Sequence, residues 1–309
     1  MTNELAPRSG DIEAVIDMVV NGLLSEHSRR AYGKALVDFL SWWEDQKRPA
    51  LTKAIINRYR AFLQDQEYSP ATINQHMSAV RKLIGEAIDN GMLDPHLGAG
   101  ILKVKGVKTA GVRSGNWLTI NQVRELLDSA LSSPDNTRLK RLRDRAILAV
   151  MIGSGIRRSE VAALEDRHIQ TRDGRPIITD LVGKGNRVRT IPIPEWVRLA
   201  IDDWRQAANI SAGRVFRPIN KGGKLSGKML TPQAIYYIIR DYSLELGIEV
   251  APHDLRRTFA KLAHRGGAGI DQIQLSLGHA SIQTTERYLG VQQDLTDAPC
   301  DHLGIEDNK

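Results

Sequence analysis

Cysteine occurs once in these 309 residues, at Cys300, so the chain can close no internal disulfide and offers no thiolate cluster to a metal. That scarcity agrees with a reducing compartment. Long apolar runs are missing too: a stretch such as AILAVMIG at 146–153 is far shorter than the roughly 20 residues a bilayer crossing needs. The opening MTNELAPRSGDIEAVIDMVV is acidic and lacks a basic segment ahead of an apolar core, so it does not read as a secretory signal. A cytoplasmic chain with no membrane partner is therefore expected. VGKGN does not fit the GxxxxGK[ST] frame of a phosphate loop, and HExxH is absent. No acidic cluster stands out, although residue spacing alone leaves a two-carboxylate metal site open.

What is present points to a polyanion. Lys and Arg number 43 against 36 Asp and Glu, a formal charge of +7, and neutralising phosphates releases counterions that drive binding. With 41% hydrophobic and 26% charged residues the composition is that of a globular protein, and the length favours two domains over one.

The first part, residues 1–97, reads as helices only. In SRRAYGKALVDFLSWWEDQ, Leu36, Phe39, Leu40 and Trp43 follow one another at i, i+3, i+4, i+7, a single apolar stripe. Thr52 and the pair Ser69-Pro70 mark two further helix starts, and a weaker helix is expected near 11–24, giving a four-helix unit. Residues 98–116, GAGILKVKGVKTAGVRSGN, are glycine-rich and carry Lys103, Lys105, Lys108 and Arg113 with no acidic residue. Such a segment suits either a strap lying on a phosphate backbone or a solvated linker. Residues 117–309 form a second, α+β domain. It opens on a capping box, Thr119 with Gln122, and its strand signals are confined to 175–194, two β-rich runs around GKGN with Lys184 at the tip of a hairpin. Helices are expected again at 194–208, 231–246, 252–265, 270–277 and 281–290.

Basic and hydrogen-bonding residues collect at turns and helix ends. GSGIRRSEV at 153–161 breaks an apolar helix and presents Arg157, whose planar guanidinium suits the two non-bridging oxygens of a phosphate, with Glu160 one turn on to hold it. In PHDLRRTFA at 252–260, His253 and Arg256 share a helix face, while Leu255, Phe259 and Leu262 face a core. LGHAS at 277–281 places His279 in a turn before a helix that Ser281 can cap and that carries Tyr288. A phenol with a pKa of about 10 needs neighbouring positive charge or a base to attack at neutral pH, and these cations would serve if the fold gathers them.

In this order and at these separations the motifs resemble those of the tyrosine recombinases, the phage integrases and chromosome-dimer-resolving recombinases, over essentially the whole chain. SGIRRSEV resembles the first arginine box, GKGNRVRTIPI the catalytic hairpin, HDLRRTFA the His-x-x-Arg box and LGHASIQTTERYLG the final box. The resemblance implies a mainly α fold: a SAM-like core-binding domain and a catalytic domain with a small antiparallel sheet. It implies catalytic roles for Arg157, Lys184, His253, Arg256 and His279, with Glu160 supporting and Tyr288 as nucleophile. Cleavage would pass through a 3′-phosphotyrosine without metal, ATP or any other cofactor, on double-stranded DNA carrying a specific core site, with a homotetramer in the synaptic complex. Pro299 interrupts the C-terminal stretch where family members often have a docking helix, so a tail reaching a neighbour would do so through Leu295, Leu303 and Ile305. With few residues before 11, an extra arm-binding domain like those of some phage integrases is not expected. A type IB topoisomerase and a catalytically silent DNA-binding protein are the competing readings.

Overall fold

The computed structural model describes residues 12–108, 116–134, 136–183 and 188–290. They belong to two units, Met1–Arg113 and Ser114–Lys309.

Hydroxyl side chains set the helix starts of the first unit. After α1 (Ile12–Asn21), Ser25, Thr52 and Ser69 each accept a hydrogen bond from the third backbone N–H of the helix that follows. These helices are α2 (Glu26–Asp45), α3 (Lys53–Asp65) and α4 (Pro70–Asp89). Their apolar stripes meet in one core built on Leu36, Phe39, Trp43, Ile56, Tyr59, Leu63, Met77, Val80 and Ile84. Tyr59 and His76 satisfy each other inside it, the hydroxyl lying 2.8 Å from Nδ1.

A fifth helix, α5 (Pro95–Leu102), corrects the expected boundary at residue 98. Asp94 caps it, Ile101 and Val104 are buried in the first core, and Val107 exchanges two hydrogen bonds with Asn74 at 2.8 and 3.0 Å. Residues 98–108 thus belong to the first unit rather than to a linker, although the side chains of Lys103, Lys105 and Lys108 on this tethered backbone are exposed.

In the second unit Thr119 and Gln122 form the expected reciprocal cap of α6 (Ile120–Ser132). The central helix is α7 (Arg138–Ser154), whose Ile147, Val150 and Met151 are fully buried. Its first turns bury an ion pair, Arg143 to Asp144 at 2.7 Å, and the Tyr242 hydroxyl donates to the same carboxylate at 3.2 Å. Gly155 ends α7 in the left-handed region, φ 63°, where a Cβ would stand 2.5 Å from the Phe259 ring. There follow α8 (Arg158–Ala163), a 3-10 turn at Asp166–His168, and a three-stranded antiparallel sheet in the order β1 (Ile169–Arg172), β2 (Arg175–Val182), β3 (Val188–Pro192). The β2–β3 hairpin is where the sequence places it; β1 extends the sheet beyond the expected limits. Ile178 pairs with both Ile169 and Ile191, which seats the inner face of the sheet on the core.

The remaining helices are α9 (Glu195–Ala207), α10 (Pro232–Glu245), α11 (Pro252–Arg265), α12 (Ile270–Leu277) and α13 (Ile282–Leu289). No helix among the described residues is long and apolar enough to cross a membrane.

Candidate active site

Two glycine stops aim the site. Gly155 turns the chain out of α7 so that Arg157 becomes the residue before α8, in extended conformation. Glu160, three residues on and 5% exposed, takes the Arg157 backbone N–H on Oε2 at 2.7 Å and its guanidinium on Oε1 at 3.0 Å. Gly278, φ 62°, ends α12 in the same way and delivers His279. The Nδ1 of His279 lies 2.9 Å from the Thr285 hydroxyl, so one ring nitrogen is already engaged by α13. Ser281 caps α13, as its sequence position suggests.

Helix α11 supplies His253 and Arg256. Arg256 is 1% exposed and gives one N–H to the Gly155 carbonyl at 2.5 Å and another to the Leu277 carbonyl. It therefore joins both glycine stops. Tyr288 stands in the last turn of α13, half-buried, with its hydroxyl hydrogen-bonded to His253 Nε2. Its ring meets those of His253 and His279 edge to face, each at a centroid distance of 5.1 Å. The Arg257 guanidinium carbon lies 5.3 Å from the centre of the same ring. The apolar anchoring of α13 falls to Leu289, packed with Ala260, Ile273 and Leu277.

Electrostatically the cleft is positive. Burial, with Arg157 close by, lowers Arg256 to about 10. Burial, Arg256 and Arg157 bring His279 down to about 4, and burial with Arg256 and Arg257 lowers His253, so both imidazoles are neutral at pH 7. Burial raises the Tyr288 hydroxyl, against the pull of Arg256, Arg257 and Arg157. Burial likewise favours protonation of Glu160, but its bonds to Arg189 and Arg157 outweigh it and hold the carboxyl below its ordinary range. A bound anion would complete this set of charges: it would stabilise the guanidiniums and favour protonation of the histidines.

Of the residues marked in the sequence, Arg157, Glu160, His253, Arg256, His279 and Tyr288 lie together in this cleft. Lys184, Arg113 and the C-terminal stretch with Leu295, Leu303 and Ile305 lie outside the described residues. Three members are not expected from the motifs: Arg257, Thr285 and Arg189. Arg189 has a sequence signal, because the period of two along β3 puts it on the same face as the buried Ile191 and Ile193, an inward position for a charge.

Comparison with known proteins agrees with this geometry. Residues 116–294 match the family model described as phage integrase family, and residues 16–91 match the phage integrase N-terminal SAM-like domain. The chain is 26% identical to tyrosine recombinase XerD of Vibrio cholerae over 302 residues, covering 94% of this chain and 95% of that protein. It is 28% identical to tyrosine recombinase XerD of Lacticaseibacillus casei over 273 residues, 86% of this chain and 88% of that protein. Among solved structures, the XerH site-specific recombinase bound to its difH substrate in a pre-cleavage complex is similar at TM-score 0.69 and 19% identity, covering 94% of this chain and 83% of that one. A lambda integrase dimer bound to a COC′ core site is similar at TM-score 0.67 and 16% identity, covering 92% of this chain and 78% of that one. At these identities the structural likenesses speak to the fold.

Proposed function

The chain belongs to the phage integrase family of tyrosine recombinases, and we propose that it cuts and rejoins DNA at a specific core site through a covalent link to Tyr288. The observation that carries this reading is the hydrogen bond of the Tyr288 hydroxyl to His253 in a cleft walled by Arg256, Arg157 and His279.

In the proposed reaction the Tyr288 oxygen attacks a backbone phosphorus. A 3′-phosphotyrosine bond forms, the bond from phosphorus to the 5′-oxygen breaks, and the phenolic proton passes toward His253, which is neutral and able to accept it. Arg157, Arg256 and His279 stabilise the extra negative charge of the pentavalent transition state, each worth on the order of 3 kcal/mol if it behaves as an oxyanion-hole donor. Lys184 protonates the departing 5′-oxygen. Attack by a 5′-hydroxyl from the partner strand reverses the step and releases Tyr288. Since one phosphodiester is exchanged for another, neither ATP nor a metal is called on. Two duplexes with two strands each require four nucleophiles, hence a homotetramer in the synaptic complex, acting on cytoplasmic DNA. The exposed Lys103, Lys105 and Lys108, with Arg113, contact flanking phosphates.

The test uses nicked duplexes with a randomised core, in which the short fragment released by cleavage diffuses away and traps the adduct. Wild type should yield a protein–DNA adduct whose sequencing reveals the preferred site, and Tyr288→Phe should yield none. No wild-type adduct on any duplex, or an equal amount with Tyr288→Phe, would overturn the proposal. Relaxation of any supercoiled plasmid without a core site would instead point to a topoisomerase.

A further inference from the structure

Arg189 touches the segments that carry Arg157 and His279, two of the four that carry the basic residues of the proposed reaction, and follows Lys184 on the β2–β3 hairpin. From β3 its two terminal nitrogens fork onto the Glu160 carboxylate, at 3.0 Å to Oε1 and 2.8 Å to Oε2. Its Nε donates to the Ser276 carbonyl at 3.1 Å, at the end of α12. The flat of the guanidinium lies against Gly278, where a Cβ would come within 3.2 Å of its Cδ, Nε and Cζ. Its side chain is 10% exposed.

Glu160 has two oxygens and four N–H donors: the backbone and guanidinium of Arg157, and both arms of Arg189. With the Arg189 fork in place, Arg157 needs to give Glu160 only one arm of its guanidinium. Remove the fork and the buried carboxylate is left under-bonded, with Arg157 the nearest cation that can turn inward to serve it. At the other end, Ser276 and Leu277 present consecutive carbonyls at a helix C-terminus, where backbone acceptors lack partners of their own. Arg189 takes the first and Arg256 the second. His279 follows two residues later, so its place is set by the same pair of cations.

We propose that Arg189 is a positioning residue for the strand-transfer reaction, a brace that fixes Arg157 through Glu160 and His279 through the Ser276–Gly278 turn so that both face one phosphate. This rests on the recombinase reading above. Arg189 itself, turned onto Glu160 and the α12 end, does not contact DNA in this arrangement.

The experiment compares wild type, Arg189→Lys and Arg189→Ala on the nicked duplex that wild type selects, reading dissociation constant, single-turnover cleavage rate and melting temperature. Both variants should keep wild-type affinity and cleave more slowly by about tenfold to a hundredfold, the cost of misplacing a reacting group by about 1 Å. Lysine keeps a charge beside Glu160 but has no fork, so Arg189→Lys should keep the fold and still cleave slowly. Millimolar guanidinium chloride should restore part of the Arg189→Ala rate, and the same concentration of potassium chloride should not. Wild-type cleavage by Arg189→Lys would overturn the proposal, as would a rate loss matched by lower affinity, a slow Arg189→Lys whose melting temperature falls in step, or a lack of guanidinium rescue in a folded Arg189→Ala. Arg189→Ala itself should melt lower, because Glu160 loses a buried partner. If wild type itself forms no adduct, the recombinase reading fails first and this inference falls with it.

Discussion

Tyr288 and His253 are joined hydroxyl to imidazole, with their rings edge to face at 83°. The histidine begins α11 and the tyrosine ends α13, so the bond closes the cleft across 35 residues of sequence. A neutral imidazole can accept the phenolic proton and a protonated one cannot, so in the proposed reaction the pair should make cleavage pH-dependent.

The direction of that dependence follows from burial and from Arg256 and Arg257, which lower His253 from the ordinary 6.5. At subsaturating DNA cleavage should therefore persist below pH 6.5 and fail only where His253 of the free protein takes a proton, and at saturation the bound phosphate should move this acid limb upward. His253→Gln should slow cleavage by about a hundredfold or more and flatten this acid limb. Single-turnover rates across pH 4.5–8 on a nicked core duplex check both, and an unaltered acid limb in the variant would rule out His253 as acceptor.

Stability should carry the mark of His279. Its pKa is about 4 in the folded protein and 6.5 unperturbed, so between these values the unfolded chain binds more protons than the native one. The stability associated with a neutral His279 is complete above pH 6.5 and is lost as pH falls through 4. Between pH 7.5 and 5.0 the urea midpoint should drop for wild type, and by a smaller amount for His279→Gln. Equal drops would mean that His279 does not titrate as its surroundings demand.

Most of the cleft is legible because its residues stand where sequence marks a stop or a cap: Arg157 after Gly155, His279 after Gly278, Tyr288 in the helix that Ser281 opens. Arg189 is legible only as an inward charge in the β3 alternation; its role is not, because its partner Glu160 lies 29 residues away and only the folded hairpin brings them together. Strand β1 escapes the pattern since IQTR buries one position in four and leaves no alternation to read. The boundary at residue 98 fails for a different reason. Glycine there suggests flexibility, whereas a Cβ on Gly98 would overlap Ile88 and one on Gly106 would overlap Asn74. Both are close-packing glycines, and composition cannot separate that use from a loose linker.

The same logic applied to Gly155 gives a stability prediction. Gly155→Ala puts a methyl group at φ 63° and 2.5 Å from Phe259 Cδ1, while the Gly155 carbonyl is an acceptor for Arg256. Strain and overpacking together should cost about 2–4 kcal/mol of unfolding free energy by urea titration. Cleavage should also slow in the fraction that remains folded, because Arg256 loses its seat. A variant as stable as wild type would show that the α7 stop can relax without disturbing the core.

Lys103, Lys105 and Lys108 stand on backbone that Asn74, Arg60 and Arg81 hold by hydrogen bonds at Val107, Lys105 and Val104. Tethered lysines lose less freedom on meeting a phosphate than lysines on a loose strap, so their contribution should survive in non-specific binding. Replacing all three with glutamine should reduce the slope of log affinity against log salt by up to about 0.9 for each phosphate no longer neutralised, or about 2.7 if every lysine meets one. Fluorescence anisotropy with a labelled random duplex between 50 and 300 mM NaCl measures it. A weaker affinity with an unchanged slope would mean that the lysines shape the protein rather than neutralise DNA, and an unchanged affinity would remove them from the interface altogether.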